Sequence, residues 1–396
     1  MIQALSSAEQ IVVRSCANPL KDLSDEIDAL DERELAELLS LSLATRTAGL
    51  LHRSMSDLDN SISGQIREAA RQYGVHNLRA GQALADTSQL LRSGGFCPIA
   101  LKGAGLALAD VYPDPKLRPL RDLDLLLVPD EAMAAQGYLL EHEDFTAKPK
   151  SGRYGLERGH QLPELVHRPT GIILEIHHRL YAGPWKGERL LLEHIYQHAQ
   201  SRQILGVPVS FPDALGNLMH LVEHATMHHA FANGPLILSD MHYLMSNNDL
   251  SVHQGERAAQ RFGLSRAWSL VCQAATIAGA TWSDEPTESD RSEPGPQVAA
   301  ALSTMVMSDE AIAQHDQMRR LGTQGKSVLG ALSRALRPDP HELAKLAGQS
   351  RVSSRRWLGY PKWLWSKGLR FLRGRRNTQL TSRFEQRDLL IDWLAE

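Results

Sequence analysis

Hydrophobic positions near the start of the chain recur with the period of an α-helix. One such run is centred on Leu38, and a second extends from about residue 61 to residue 91. A spacing near 3.6 residues places the apolar side chains on one face of each helix. The sequence Ser93-Gly94-Gly95 ends the second run, because glycine disfavours the helical conformation. Residues 1–95 are therefore predicted to form an N-terminal helical region.

The pattern changes to short apolar runs in residues 96–185. Runs at 97–101, 123–128 and 171–177 are predicted strands, since short apolar runs bounded by turn residues are typical of buried strands. A helix is predicted at 106–111, and another begins near Pro129. This alternation of strands and helices indicates an α/β core.

Helical periodicity returns beyond residue 186. Residues 212–231 and 236–246 show it best, and residues 186–282 are predicted to form a helical domain that packs on the core. A polar segment with prolines, 283–296, is a predicted linker. Residues 297–396 are predicted to form a C-terminal helical region.

Composition favours a soluble protein in a reducing compartment. The chain has 396 residues, of which 42% are hydrophobic and 22% charged, and its net charge is −3. This balance does not indicate a sequence-specific DNA-binding protein. Cys16, Cys97 and Cys272 are widely spaced and odd in number, which favours free thiols and a cytoplasmic location. Glu9 and Arg14 interrupt the first apolar run, so no secretory signal is predicted.

Two aspartates carry the first candidate chemistry. Asp122 and Asp124 lie two residues apart on a predicted strand, so both carboxylates point to one side. Their repulsion would be relieved by a divalent cation, and Mg²⁺ typically binds one or two carboxylates together with substrate phosphates. Taken alone, Asp-Leu-Asp is more often a solvated strand end, because short motifs recur by chance.

Cationic residues and a third acid surround this pair. Lys102-Gly103 lies between a predicted strand and a predicted helix, where the backbone can approach a phosphate. Arg118 and Arg121 precede the aspartates, and their guanidinium groups match phosphate geometry. Glu175 lies within an apolar strand, where a carboxylate is costly unless it is paired or bound to metal. Each feature has a simpler alternative. Lys102-Gly103 could be a surface turn, Arg118 and Arg121 could balance the charge of the aspartates, and Glu175 could lie at a solvated strand end.

These segments together resemble a known family. Leu101-Lys102-Gly103, Arg118 to Val128 and Leu174 to His177 look like the bacterial uncharacterised nucleotidyltransferases of the polymerase β superfamily. The resemblance implies a polymerase β-like α/β (α+β) core with a small mixed sheet, flanked by helical regions. It also implies an NTP substrate such as ATP, and two Mg²⁺ ions.

The resemblance assigns roles to individual residues. It implies that Gly103 forms the phosphate turn, Asp122 and Asp124 form the metal-binding pair, and Glu175 is the third acid. Lys102 stands where it can contact phosphate. One position departs from the superfamily pattern, because Ala104 lacks the hydroxyl that other members offer to the triphosphate.

Histidines form a second group of candidates among the 17 in the chain. His220, His224 and His228 share one face of a predicted helix, and His220 to His224 matches the pattern His-x-x-Glu-His. A packed or partly hydrated helix face is favoured over a metal site. The family resemblance places His224 and Asp240 over the active site. Two further histidines are candidates for supporting the carboxylates or contacting the acceptor: His160 and His177.

A basic segment near the C-terminus suggests an interaction surface. Residues 351–376 contain many arginines and lysines with interspersed aromatic side chains, and no acidic residue. Such a composition suits a membrane surface, which would make the protein peripheral, or a nucleic-acid backbone. It also suits an acidic partner. The competing interpretation is a helix that buries its aromatic side chains on the protein body.

Three functions are consistent with these residues. The first is Mg²⁺-dependent transfer of a nucleoside monophosphate from an NTP to an unidentified hydroxyl or phosphate acceptor, with a small molecule or peptide favoured. The second is a non-catalytic module that binds a nucleotide or peptide, which Ala104 favours. The third is a metal hydrolase built on His220, Glu223 and His224.

Overall fold

A computed structural model describes most of the chain, in two compact units. The described residues are 5–55, 58–148, 156–157, 159–282, 295–323, 343, 347, 354–363 and 378–395. The first unit contains Met1–Val306 with Trp393–Glu396, and the second contains Met307–Asp392. In this part of the chain, no helix combines the length and hydrophobicity that crossing a membrane requires.

The N-terminal part of the first unit is helical, as its hydrophobic period predicts. Side-chain caps fix where helices begin: Ser6 and Glu9 form one capping box, and Asp31 and Glu34 form another. The last helix of this part ends at Gly94. Helices α1 to α5 are Ser7–Ala17, Ser24–Asp28, Glu32–Ala44, Ala48–Ser54 and Ser63–Ser93.

The centre of this unit is a seven-stranded mixed sheet. Its strands, β1 to β7, are Ile99–Ala100, Asp122–Leu126, Phe145–Ala147, Leu165–His167, Ile172–His177, Gln200–Ile204 and Val207–Phe211. They lie in the order β3-β4-β5-β2-β1-β7-β6. The pairs β2–β5 and β1–β7 are parallel, and the other neighbours are antiparallel. The protein thus has a mixed α/β fold.

Helices pack on this sheet through a continuous apolar core. Two helices lie between strands, α6 at Ala104–Ala107 and α7 at Pro129–Glu141. Leu84 and Leu91 of α5 and Leu139 of α7 are fully buried in one cluster with Leu125 and Leu174 of the sheet. This packing holds β2 and β5 in place, and both strands carry candidate site residues.

One hairpin differs from the helical expectation for residues beyond 186. Strands β6 and β7 are joined by a two-residue turn in which Leu205 and Gly206 have φ angles of 51° and 81°. Two positive φ angles suit a hairpin, but the first such position favours Asn, Asp or Gly. Because Leu205 occupies that position, the sequence does not predict the hairpin turn.

The remaining helices of the first unit follow the predicted pattern with local changes. The short helix α6 begins earlier and is shorter than the helix expected at 106–111. In place of one helix over 212–231, an α-helix is followed by a π-helical turn at His224–His228. Helices α8 to α13 are Glu188–His198, Ala214–Glu223, Leu236–Asn247, Val252–Phe262, Ser265–Ile277 and Pro296–Met305.

The second unit is helical where it is described. Helices α14, Asp309–Thr323, and α15, Thr378–Ala395, are joined by ion pairs. Arg319 lies 2.7 Å from Asp388, and Arg387 lies 2.6 Å from Asp316. Of the basic segment 351–376 only residues 354–363 belong to the described residues, and of the predicted linker only 295 and 296 do.

Candidate active site

Strands β2 and β5 bring the predicted acids together. They run parallel, with Asp124 directly opposite Glu175 and Asp122 opposite Ile173. Because side chains alternate along a strand, Asp122 and Asp124 point to one side of the sheet, and so do Glu175 and His177. Four polar side chains of two adjacent strands therefore share one face.

The closest contacts in this group converge on Asp124, which is buried. The Nζ atom of Lys102 and the Nε2 atom of His177 each lie 2.8 Å from Asp124 Oδ1. The same histidine atom is 3.5 Å from Glu175 Oε2. Ligand atoms of Asp124, Glu175 and His177 all lie within 4.8 Å of one another. The arrangement is a compact cluster of charged and polar groups.

Electrostatics separate the two aspartates. Burial, together with the neighbouring carboxylates of Asp124 and Glu175, raises the pKa of Asp122 to about 6. Burial would also raise the pKa of Asp124, but Lys102 and His177 lower it below its usual range. Asp124 is thus held as a carboxylate by the chain itself, whereas the charge of Asp122 is not compensated to the same extent.

The acids fit a divalent cation. Asp122 has no hydrogen-bond or ion-pair partner within the described residues, although it lies beside two other carboxylates. Additional positive charge is what such a group requires, and Mg²⁺ prefers carboxylate oxygens. Asp122, Asp124 and Glu175 can supply these oxygens, while His177 contacts two of the acids and can fix their orientation.

A turn with unusual backbone geometry positions Lys102. Lys102 itself has a φ angle of 52°, in the left-handed region that non-glycine residues rarely adopt. Gly103 packs closely against Leu120, because a Cβ atom there would come within 2.7 Å of Leu120 Cδ2 and the leucine side chain would have to move. Helix α6, which follows, has only four residues, so its dipole contributes little to phosphate binding. The lysine side chain is therefore the main cationic feature of this turn.

Arg118 is held by a buried network rather than left free. Its Nε and Nη2 atoms donate to the two carboxylate oxygens of Asp240, at 2.6 and 2.9 Å. The hydroxyl group of Tyr112 donates to the same carboxylate at 2.6 Å. Such a bidentate pair fixes the guanidinium plane. Asp240 thus fixes the orientation of Arg118.

These groups line one pocket of about 390 Å³. It contains every residue predicted for the nucleotidyltransferase site except His177, which is fully buried and contacts Asp124. The predicted residues in its lining are Lys102, Gly103, Arg118, Arg121, Asp122, Asp124, His160, Glu175, His224 and Asp240. The sequence-predicted candidates therefore converge on one place.

Histidines form one wall of the pocket. The π-helical turn carries His224 and His228 to the lining, and the rings of His160 and His228 are 4.6 Å apart. Burial lowers the pKa of His160 to about 3 and that of His228 to about 4, so both are neutral near pH 7. His220 and Glu223 are buried outside the lining. They form no metal cluster with His224 in the described structure, so the metal-hydrolase alternative has no support from the geometry.

Asn77 is a residue of the site region that sequence reasoning missed. It lies in the buried face of α5, and its Nδ2 atom donates to the carbonyl oxygens of Pro115 and Arg118 at 2.7 and 2.8 Å. Its Oδ1 atom accepts from the backbone N–H of Leu120 at 3.1 Å. These three hydrogen bonds hold the loop that leads into β2. The sequence signal that could have identified it is an asparagine at a position that the helical period places on the apolar face of α5.

The fold and pocket define a class, and comparison with known proteins identifies the family. Clustered carboxylates beside a lysine and arginines are typical of enzymes that transfer phosphoryl or nucleotidyl groups. The chain belongs to the family described as "Uncharacterised nucleotidyltransferase", which matches residues 31–278, more than half of its length. The protein is thus a nucleotidyltransferase by family, as its motifs predict. Comparisons with curated proteins and with solved structures give no match.

Proposed function

We propose that the protein transfers a nucleoside monophosphate from an NTP to a hydroxyl or phosphate group of an acceptor, with Mg²⁺ and with release of pyrophosphate, on a polymerase β-type core. The observation that carries this proposal is the grouping of Asp122, Asp124 and Glu175 on two adjacent parallel strands, beside Lys102. Family membership supports the reaction class. The ions, the NTP and the residue roles are the proposal.

The carboxylates hold the metal in this proposal. Asp122, Asp124 and Glu175 would bind two Mg²⁺ ions, which supply charge neutralisation for the triphosphate and for the reacting oxygens. His177 keeps Asp124 in place through its 2.8 Å contact. Glu175 is the acid nearest to His177 after Asp124, and it would accept the proton of an acceptor hydroxyl.

Cations orient the triphosphate. Lys102 would donate to phosphate oxygens from the turn that includes Gly103, and Arg121 would contact phosphate at the mouth of the pocket. Arg118, fixed by Asp240, presents its remaining N–H groups in a constant orientation. Transfer would rest on positioning and charge stabilisation in a partly enclosed site. The neutral histidines His160 and His224 form the facing wall, where they would contact the acceptor.

The proposal also covers the class of acceptor and the cellular location of the protein. A small molecule or a peptide suits a pocket of about 390 Å³ better than a long polymer inside it. A cytoplasmic location follows from the cysteine pattern, and the basic segment 351–376 would provide peripheral attachment to a membrane or an acidic partner. Deletion of residues 350–396, followed by liposome flotation, tests that attachment. Unchanged flotation would refute attachment to a membrane through this segment.

Transfer of label tests the reaction directly. The protein is incubated with each of the common NTPs, labelled at the α-phosphate, with Mg²⁺ and a small-molecule extract, and labelled products are separated. The double variant Asp122→Asn/Asp124→Asn is expected to abolish labelling. The matched control Asp130→Asn/Asp144→Asn changes one exposed and one half-buried acid outside the pocket and is expected to retain labelling. Equal labelling by both variants would show that the carboxylate pair is not the catalytic site.

A non-catalytic binding module is the second candidate, and Ala104 is the observation that favours it. Position 104 offers no hydroxyl to the triphosphate. Lys102, the other phosphate-binding candidate of this turn, is already paired with Asp124. This candidate predicts that a non-hydrolysable NTP analogue binds with Mg²⁺ while no labelled product forms with any extract. Product formation excludes it.

A further inference from the structure

A second cleft lies beside the active pocket. It measures about 680 Å³ and is lined by residues of α5 and by the loop before β2. The two spaces share four lining residues, Arg46, Pro119, Leu120 and Arg121. The loop that carries Arg121 therefore borders both, and a molecule in the second cleft would reach the edge of the active pocket.

The charge of this arginine cleft is positive. Its lining includes Arg46, Arg71, Arg79 and Arg121, and contains no aspartate or glutamate. Arg71 pairs with Glu68, which lies outside the lining. Arg79 and Arg121 are exposed and have no hydrogen-bond or ion-pair partner among the residues described. On a chain with a net charge of −3, this is a local concentration of cations.

The spacing of the cations favours an extended anion over a single ion. Arg71, Val75 and Arg79 are successive i, i+4 positions and thus lie along one face of α5. The two arginines are separated by about 12 Å along the helix, at 1.5 Å per residue. Tyr73 and His76 lie in the same lining and offer aromatic surface between the charges. The cleft can therefore bind an anion and an adjoining ring.

We propose that the arginine cleft binds the acceptor and that the acceptor carries phosphate groups. Guanidinium groups pair with phosphate through two parallel hydrogen bonds, which makes arginine the preferred phosphate partner. The inference rests on the proposed function, because a transferase needs its second substrate next to the nucleotide. In the proposed function, the nucleotide's own phosphates are bound by Lys102 and by the metal ions that the carboxylates of the first pocket would hold, whereas Arg79 lines only the second space.

Binding measurements with two defined probes test the cleft. One probe is a fluorescein-labelled octa-uridylate, followed by anisotropy, and the other is glucose 6-phosphate, followed by calorimetry. The variant Arg79→Glu changes an exposed side chain and is expected to weaken binding of one or both probes at least tenfold. The matched control Arg33→Glu reverses an exposed arginine on α3, outside both spaces, and is expected to bind like the parent. Loss with the oligonucleotide alone identifies a nucleic-acid end, and loss with the sugar phosphate alone identifies a small phosphorylated acceptor.

A third measurement separates this inference from the proposed function. Binding of a non-hydrolysable ATP analogue with Mg²⁺ is expected to be unchanged in Arg79→Glu and lost in Asp122→Asn/Asp124→Asn. If Arg79→Glu binds both probes as the parent does, if the parent binds neither, or if Arg79→Glu loses the ATP analogue, the acceptor assignment is overturned. Retention of the analogue by the aspartate variant would instead contradict the proposed metal site.

Discussion

The active pocket and the arginine cleft lie side by side but differ in how far their cationic side chains are paired with carboxylates. In the pocket, Lys102 pairs with Asp124 at 2.8 Å, and Arg118 pairs with Asp240 at 2.6 and 2.9 Å. In the cleft, Arg79 has no such partner within the described structure and is exposed to solvent. The same residue type is thus neutralised in one space and left available in the other.

Burial explains the difference. A buried charge is costly unless an opposite charge and hydrogen bonds compensate it. Asp240 is 2% exposed, so its guanidinium partner is a structural requirement as well as a feature of the site. Exposed arginines cost little, and their attraction for anions extends to roughly the Debye length of about 8 Å at physiological salt. Paired charges therefore suit fixed chemistry, and unpaired charges suit the capture of a substrate.

The largest effect is expected from Asp240→Asn. This change leaves the buried guanidinium of Arg118 without its counter-charge, and breaking such a pair costs about 3–5 kcal/mol of unfolding free energy. Urea denaturation measures the loss. Glu68→Gln breaks the exposed pair with Arg71 in the other region and is expected to leave the midpoint unchanged. Equal effects of the two changes would refute the contrast between the regions.

The second-largest effect is expected from removing the charge of Lys102 from the pocket. Lys102→Met is expected to lower kcat about 100-fold or more, since a single positioned charge at a developing oxyanion contributes on that order. Single-turnover kinetics with the labelled NTP measure it. Lys116→Met, in the exposed part of the preceding loop, serves as the control and should retain activity. An unchanged kcat in Lys102→Met would limit Lys102 to a structural role beside Asp124.

A smaller effect is expected from a change that loosens the loop before β2. Asn77→Ala removes three hydrogen bonds to the loop that borders both spaces, and we expect a loss of about 2 kcal/mol in unfolding free energy. We also expect kcat/KM to fall roughly tenfold, because misplaced groups at a reaction centre reduce the rate. The control is Gln65→Ala, which changes an exposed residue of the same helix outside both spaces. If kcat/KM is unchanged while stability falls, the loop holds its position without Asn77.

The sequence predicts the site better than the sheet around it. Asp122, Asp124 and Glu175 lie on β2 and β5, whose apolar runs are clear in the sequence, and these strands pair in parallel with Asp124 opposite Glu175. Strands β3 and β4 have only three residues each, which is too short for periodicity to detect. Long-range contacts such as Arg118 to Asp240 join residues far apart in the chain, and no local pattern encodes them.

Backbone exceptions account for the remaining differences. Lys102 adopts a left-handed φ angle where the sequence points to Gly103 as the flexible residue. The π-helical turn at His224–His228 redirects histidines that a regular helix would distribute differently. Both features depend on tertiary packing, which overrides local propensity, and both occur at the pocket. The assignments of domain boundaries and of individual catalytic roles stay predictions.

The smallest predicted effect probes Glu68, an acidic neighbour of the arginine cleft. Hydrogen bonds from Arg71 and Gln72 lower the pKa of Glu68 to about 2, so this carboxylate is ionised at neutral pH and partly offsets Arg71. Glu68→Gln is therefore expected to tighten octa-uridylate binding only roughly twofold, as befits an exposed pair. The gain should vanish near 1 M salt, where the Debye length shrinks to about 3 Å. Anisotropy titrations at low and high salt measure both values. Weaker binding in Glu68→Gln would mean that Glu68 serves to orient Arg71 toward the cleft, and a gain that persists in high salt would point to altered shape rather than charge.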